Sequence, residues 1–233
     1  MMLSELWFNP SVSLSQQQKD CLRDAIERYD FPSDYFDFGR NSAEHLANTK
    51  DVEVRIGRHL TSGDPERVKN GLSNVLYWGY AQMGIRDTRV QHFRSKVNVY
   101  ELKRACDLFR RSGLPSVLEI KDLGLPEFSG LSFVSKIRVF LDPDKSAALD
   151  RQIMKIHQHC ATTLLANLRI GRSTQIPITE HHSEVYEAWC RRMVNISDMY
   201  FDARFRAVDI ERGLFQLIQE RSVEAAARIL NDA

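Results

Sequence analysis

The stretch LPEFSGLSFVSKIRVFLDPDKSAALDRQIMK, residues 125–155, decides the reading of this chain. Leu125-Pro126 and Gly130 punctuate a tight turn, because proline presets one backbone angle and glycine tolerates angles that side chains avoid. An amphipathic helix is predicted over 133–141, and Asp142-Pro143-Asp144-Lys145 ends it. Asp150 then follows the apolar run Ala147-Ala148-Leu149, at the start of a further helix predicted from about 148 to 169. Lys136 precedes Asp150 by 14 positions. An acid placed there serves ordinarily as a helix cap or first-turn carboxylate.

Helical spacing recurs outward from this stretch. Leu14, Cys21, Leu22, Ala25, Ile26 and Tyr29 predict a helix over 14–29, capped by Ser13 or Ser15. Residues 29–42, rich in aspartate and aromatics, read as an irregular connection. Asp64 caps and Pro65 opens a strong helix that carries Val68, Leu72, Val75, Leu76, Gly79 and Met83 on one face and stops at Gly84. Helices are predicted over 86–96 and 99–111, a short segment between Gly113-Leu114-Pro115 and Gly124-Leu125-Pro126, a polar loop over 171–179, and two closing helices, 183–200 and 207–229. Strand signals are few. The expected fold is all-α or nearly so, with 1–60 as an N-terminal segment and 61–233 as the main domain.

The chain's 233 residues are 43% hydrophobic and 27% charged, enough to bury a core. A formal net charge of +1 excludes a globally basic nucleic-acid binder, so any such role must be local. Residues 86–111 hold eight basic against three acidic side chains, a surplus of five that is suited to tracking phosphates or to solvated helix faces. Four dispersed cysteines predict reduced thiols rather than a disulfide framework. The opening residues lack the basic start and apolar core of a secretory leader, and no run of about 20 apolar residues spans a membrane. A monomeric cytoplasmic protein is expected.

Asp150 and Lys136 are the groups with chemistry to offer. A carboxylate stabilises positive charge developing on a sugar as its bond to a base breaks, or orients the attacking water. A lysine amine attacks C1′ instead and forms a Schiff base. The order of residues here resembles the helix-hairpin-helix DNA glycosylase superfamily, in which a hairpin leads to a lysine position and a short apolar-Asp step carries the aspartate. It is closer to a compact bacterial group with the 8-oxoguanine glycosylase fold. Phe133-Val134-Ser135-Lys136, Val139-Phe140-Leu141, Leu149-Asp150 and the closing run Val208–Phe215 follow that group's order, over roughly residues 62–220.

The resemblance implies a two-lobed helical fold. It also implies a cofactor- and metal-independent enzyme that flips a modified base from duplex DNA and leaves an abasic site; some members of the group act against modified phage DNA. Asp150 is the implied catalytic carboxylate. Lys136 is the implied phosphate contact or nucleophile. Ser129, Gly130 and Ser132 would hold the backbone, Gln82 would fill the gap left by the flipped base, Trp78 would line the pocket, and Arg86 and Arg89 would meet phosphates. Two features depart from the pattern. Glu127-Phe128-Ser129 replaces a Gly-x-Gly hairpin, and the lysine-to-aspartate spacing is about one helical turn short, which favours hydrolysis over strand cleavage. Two competing readings remain open: a non-catalytic DNA- or protein-binding module with the same fold, and a regulatory helical domain of a multi-protein system. His157 and Cys160 share a helix face but His159 does not, and with His181-His182 the only other cluster and no second compact ligand pair evident, no metal site is expected.

Overall fold

The computed structural model describes residues 13–160, 163–168 and 175–233, and it is nearly all-α. The expectations for the opening residues and for much of the 171–179 loop lie outside the described residues. In chain order the elements are α1 (Gln16–Glu27), β1 (Asp34–Asp37), β2 (Ser42–His45), α2 (Thr49–Leu60), α3 (Pro65–Gly79), α4 (Arg86–Lys96) and α5 (Val99–Arg110). They continue with α6 (Val117–Lys121), α7 (Leu131–Leu141), α8 (Lys155–His159), a 3-10 turn (Leu164–Asn167), α9 (Glu180–Phe201), α10 (Ala207–Gln219) and α11 (Val223–Asp232). The chain forms two compact units: residues up to 30 with 144–233, and residues 31–143. This grouping replaces the expected division at 60/61, because β1 and α2 pack on α3 within the second unit.

In the 31–143 unit, α3 is the central helix. The Asp64 carboxylate accepts the Arg67 amide at 2.9 Å and Pro65 opens the first turn. Val68, Leu72, Val75 and Leu76 are fully buried. The stretch expected to be irregular contains a small antiparallel hairpin, β1 with β2. Asn74 on α3 secures it, accepting the Phe36 amide at 2.8 Å and donating to the Phe36 carbonyl at 3.0 Å. The helix α2, which the periodicity reading passed over, is capped by Asn48 and buries Val52, Ile56 and Leu60. A Cβ on Gly57 would stand 2.8 Å from the Phe140 carbonyl oxygen, so α2 and α7 meet backbone to backbone.

In the other unit, Ser15 and Gln18 form a capping box at the start of α1, which packs along α10. Residues 146–149 are covered and lie in no helix or strand, although a helix was expected from about 148, and the Trp189 indole of α9 donates to the Ala148 carbonyl at 3.1 Å. The predicted 148–169 helix is instead a turn at 151–154, α8 and the 3-10 turn. The single helix expected over 207–229 is broken. Arg221 takes the left-handed conformation (φ 62°), and the Ser222 amide reaches back to the Leu217 carbonyl at 2.8 Å. This is the glycine-favoured way of ending a helix, with arginine at the glycine position. Arg221→Gly is therefore expected to stabilise the protein by about 0.5–1 kcal/mol, read as a rise in the chemical-denaturation midpoint.

Candidate active site

Asp150 lies at the end of the buried run 146–149 and at the head of the turn that leads into α8. Its Oδ1 accepts the Gln152 amide at 2.9 Å and the Ile153 amide at 3.3 Å, and its carbonyl accepts the Met154 amide at 3.1 Å. The carboxylate therefore caps a helical turn and is fixed in direction by two amides. It is half-buried, while Leu149 before it is fully buried.

The neighbourhood of Asp150 is more highly charged than the sequence reading foresaw. Burial pushes the Tyr29 hydroxyl well above its ordinary pKa; the Arg212 charge opposes that, while Glu211 and Asp150 add to it. These four groups thus share one electrostatic neighbourhood within this unit, in which Tyr29 stays a neutral hydroxyl. Arg212 stands over the Tyr29 ring, 5.1 Å from its centre. At the start of α10, Arg206 grips Asp209 with two parallel contacts, Nε to Oδ2 at 2.9 Å and Nη2 to Oδ1 at 2.7 Å. Asp209, Glu211 and Arg212 are all at least nine-tenths buried. Burying ions costs several kcal/mol apiece unless they are paired, and Asp209 is paired with both Arg206 and Arg212; a buried charged cluster of this kind is a candidate site.

Burial acts to raise Asp209, but the hydrogen bonds and charge of Arg206 outweigh it, and its pKa is held below 3.8. A carboxylate depressed in the folded state adds stability above its unfolded pKa and loses it as pH falls through the folded value. Asp209→Asn is thus expected to lower the melting temperature at neutral pH. The gap from wild type should close as the buffer is taken below about pH 3.8 towards the depressed value. Thermal melts across that range check this.

Gly124-Leu125-Pro126-Glu127-Phe128-Ser129-Gly130 joins α6 to α7 as a hairpin between helices. The Phe128 amide donates to the Leu125 carbonyl at 3.2 Å, and Glu127 is left-handed with φ 68°. Proline at the second position and a left-handed third residue make this a turn of type II character, with glutamate where glycine is ordinarily found. Leu125 and Phe128 anchor it inward. The Glu127 carboxylate turns to α4, 2.6 Å from His92 Nδ1 and 3.2 Å from Arg89 Nη1. Gly130 is the N-cap of α7 and is buried; Ser129 is exposed and Ser132 half-buried. Lys136 is only 7% exposed, and its Nζ donates to the Ser132 carbonyl at 3.2 Å. Its stem passes 3.3 Å from where a Cβ on Gly79 would be. Lys136 and Asp150 belong to different units.

The remaining candidates separate. Gln82 is exposed in the turn after α3, beside Met83 (52% exposed) and Ile85 (41%); the helix ends at Gly79 rather than continuing to Met83. Trp78, expected to line a pocket, is a core residue of its unit, between Phe31 (4.7 Å) and Phe140 (5.3 Å). Arg86 pairs with Asp34 at 3.1 Å and covers the Tyr77 ring, and Arg89 is engaged by Glu127. Arg94 and Arg111 likewise face Glu66 and Glu119. Much of the apparent surplus over 86–111 is thus met by acids from elsewhere in the same unit. Among the described residues, no group of three or more His, Cys, Asp or Glu side chains is placed to hold a metal ion. None of their helices is long and apolar enough to cross a membrane. No family model, curated protein or solved structure matches this chain.

Proposed function

We propose that this protein is a DNA glycosylase that hydrolyses the N-glycosidic bond of a flipped, modified base and leaves an abasic site. The observation that carries the reading is Asp150. It is a carboxylate oriented by two backbone amides at the head of a turn, within electrostatic reach of Tyr29 and the buried Glu211 and Arg212. In such a site Asp150 stabilises the sugar cation and orients the water that attacks C1′. Glu211 and Arg212 act through Tyr29 and the local field rather than on the reacting atoms. The amine of Lys136, turned onto its own helix, supports a hydrolytic route over Schiff-base chemistry. Modified phage bases are the proposed substrates, and this rests on the sequence resemblance alone.

The experiment is incubation with unmodified, oxidised, hydroxymethylated and glucosylated DNAs, read with and without alkali. Breaks after alkali only are the expected result. Breaks without alkali would return Lys136 to the role of nucleophile, and no breaks on any of these DNAs would remove the proposal.

A second reading, a DNA-binding module without catalysis, is favoured by the hairpin. Glu127 occupies Arg89 and places an acid where a phosphate would approach. Glu127→Gly is expected to change stability by two opposed effects. Relief of left-handed strain, about 1 kcal/mol, works against the loss of a carboxylate that is only 7% exposed and holds both Arg89 and His92. It should also tighten DNA binding by releasing Arg89, as measured by fluorescence anisotropy. Weaker binding would show that the hairpin does not face phosphate.

A further inference from the structure

A groove of about 530 Å³ in the unit that holds Asp150 gathers basic side chains from two distant parts of the sequence. Lys155 and His159 come from α8, Arg221 from the helix break, and Arg228 from α11. A second cavity of about 230 Å³ shares His159, Glu224 and Arg228 with it, so the two form one continuous trough. Glu224 is the single carboxylate on the wall, 3.5 Å from Arg228.

Many of the other described arginines are met by acids, as Arg28 is by Glu220, Arg86 by Asp34 and Arg206 by Asp209. Lys155 and Arg221 are exposed and have no acidic partner among the described residues. Holding like charges together is unfavourable unless an anion joins them. A trough with cations along its length suits a strand of linked phosphates better than one small anion. Its near wall is α8, which begins five residues after Asp150.

We propose that the Lys155–His159–Arg221–Arg228 trough binds the phosphate backbone of DNA and carries the strand past Asp150. The inference deepens the glycosylase reading and rests on it for the direction of the strand. It places the phosphate track on α8 and α11, away from the basic run at 86–111 where the sequence pattern put it.

The test uses the full chain and a labelled unmodified duplex, with affinity measured across salt concentrations. Lys155→Glu reverses one wall charge. Arg221→Gly removes another while relieving the left-handed backbone, so weakened binding cannot be put down to a damaged fold. Removing each cation is expected to loosen binding regardless of DNA sequence and to lower the salt slope by about one. Wild-type affinity and slope in both variants would overturn the proposal, as would a wild type that binds inorganic phosphate or an acidic protein but not DNA. If the variants bind like wild type while base is still released, the trough fails and the enzyme stands. If they lose binding but no DNA ever yields free base, the trough stands and the enzyme fails.

Discussion

Asp150→Asn is expected to slow base excision by about 10²–10⁴-fold while leaving DNA binding and the fold in place. Asparagine keeps an oxygen that accepts the Gln152 and Ile153 amides, so the turn into α8 remains capped. What it loses is the negative charge next to the sugar cation. Asp150→Ala loses both and is expected to cost a further 0.5–2 kcal/mol or so of stability, the usual range for a missing cap. The pair of variants therefore separates chemistry from structure. If Asp150 were a cap alone, Asn would match wild type in every assay and Ala would show the stability loss only. Single-turnover excision rates together with denaturation midpoints decide between these.

Gly213→Val is expected to destabilise the Asp150-bearing unit by about 3 kcal/mol. Gly213 is where α10 lies against α1, and an added Cβ would come within 2.7 Å of both Leu22 Cδ1 and Ile26 Cγ1. Leu22 is fully buried and has nowhere to move. Alanine is a milder test, because its better helix propensity returns about 1 kcal/mol against the same clash. Gly84→Ala is the control, since a Cβ there meets nothing within 4 Å. The damage should also reach the site, because Asp209, Glu211 and Arg212 ride on α10. Urea denaturation and excision rate should therefore fall together for Gly213→Val and stay at wild-type values for Gly84→Ala.

Several helices were legible in the sequence, although α2 was passed over despite its Asn48 cap. Asp64-Pro65 opens α3 where expected, and the periodicity over 86–96 and 99–111 corresponds to α4 and α5. Elements defined by tertiary contacts were not. Ala147, Ala148 and Leu149 are three consecutive buried residues outside any helix or strand, and the Trp189 indole of α9 holds the Ala148 carbonyl, a contact that no local pattern announces. The break after α10 and the hairpin turn carry arginine and glutamate at left-handed positions where glycine would have flagged them. The hairpin β1–β2 has strands of four residues, too short for alternation to register.

At the candidate site, Asp150 was legible because an acid after an apolar run is a local pattern. Its buried company was not. Asp209, Glu211 and Arg212 read as ordinary charged positions until α10 is seen to be covered over its first two turns. The sequence carries no signal of it: Asp209, Arg212 and Gln216 line one side of a helix whose other side holds Ala207, Ile210 and Leu214, the pattern of an ordinary amphipathic helix.

The most direct measurement is release of free base, by mass spectrometry, from modified phage DNA incubated with wild type and with Asp150→Asn in parallel. The account predicts modified base in solution with wild type, alkali-sensitive sites in equal amount, and neither with the variant, although both proteins bind the DNA. Equal release by the two proteins would remove Asp150 from the chemistry, and binding without release by wild type would contradict the enzyme altogether.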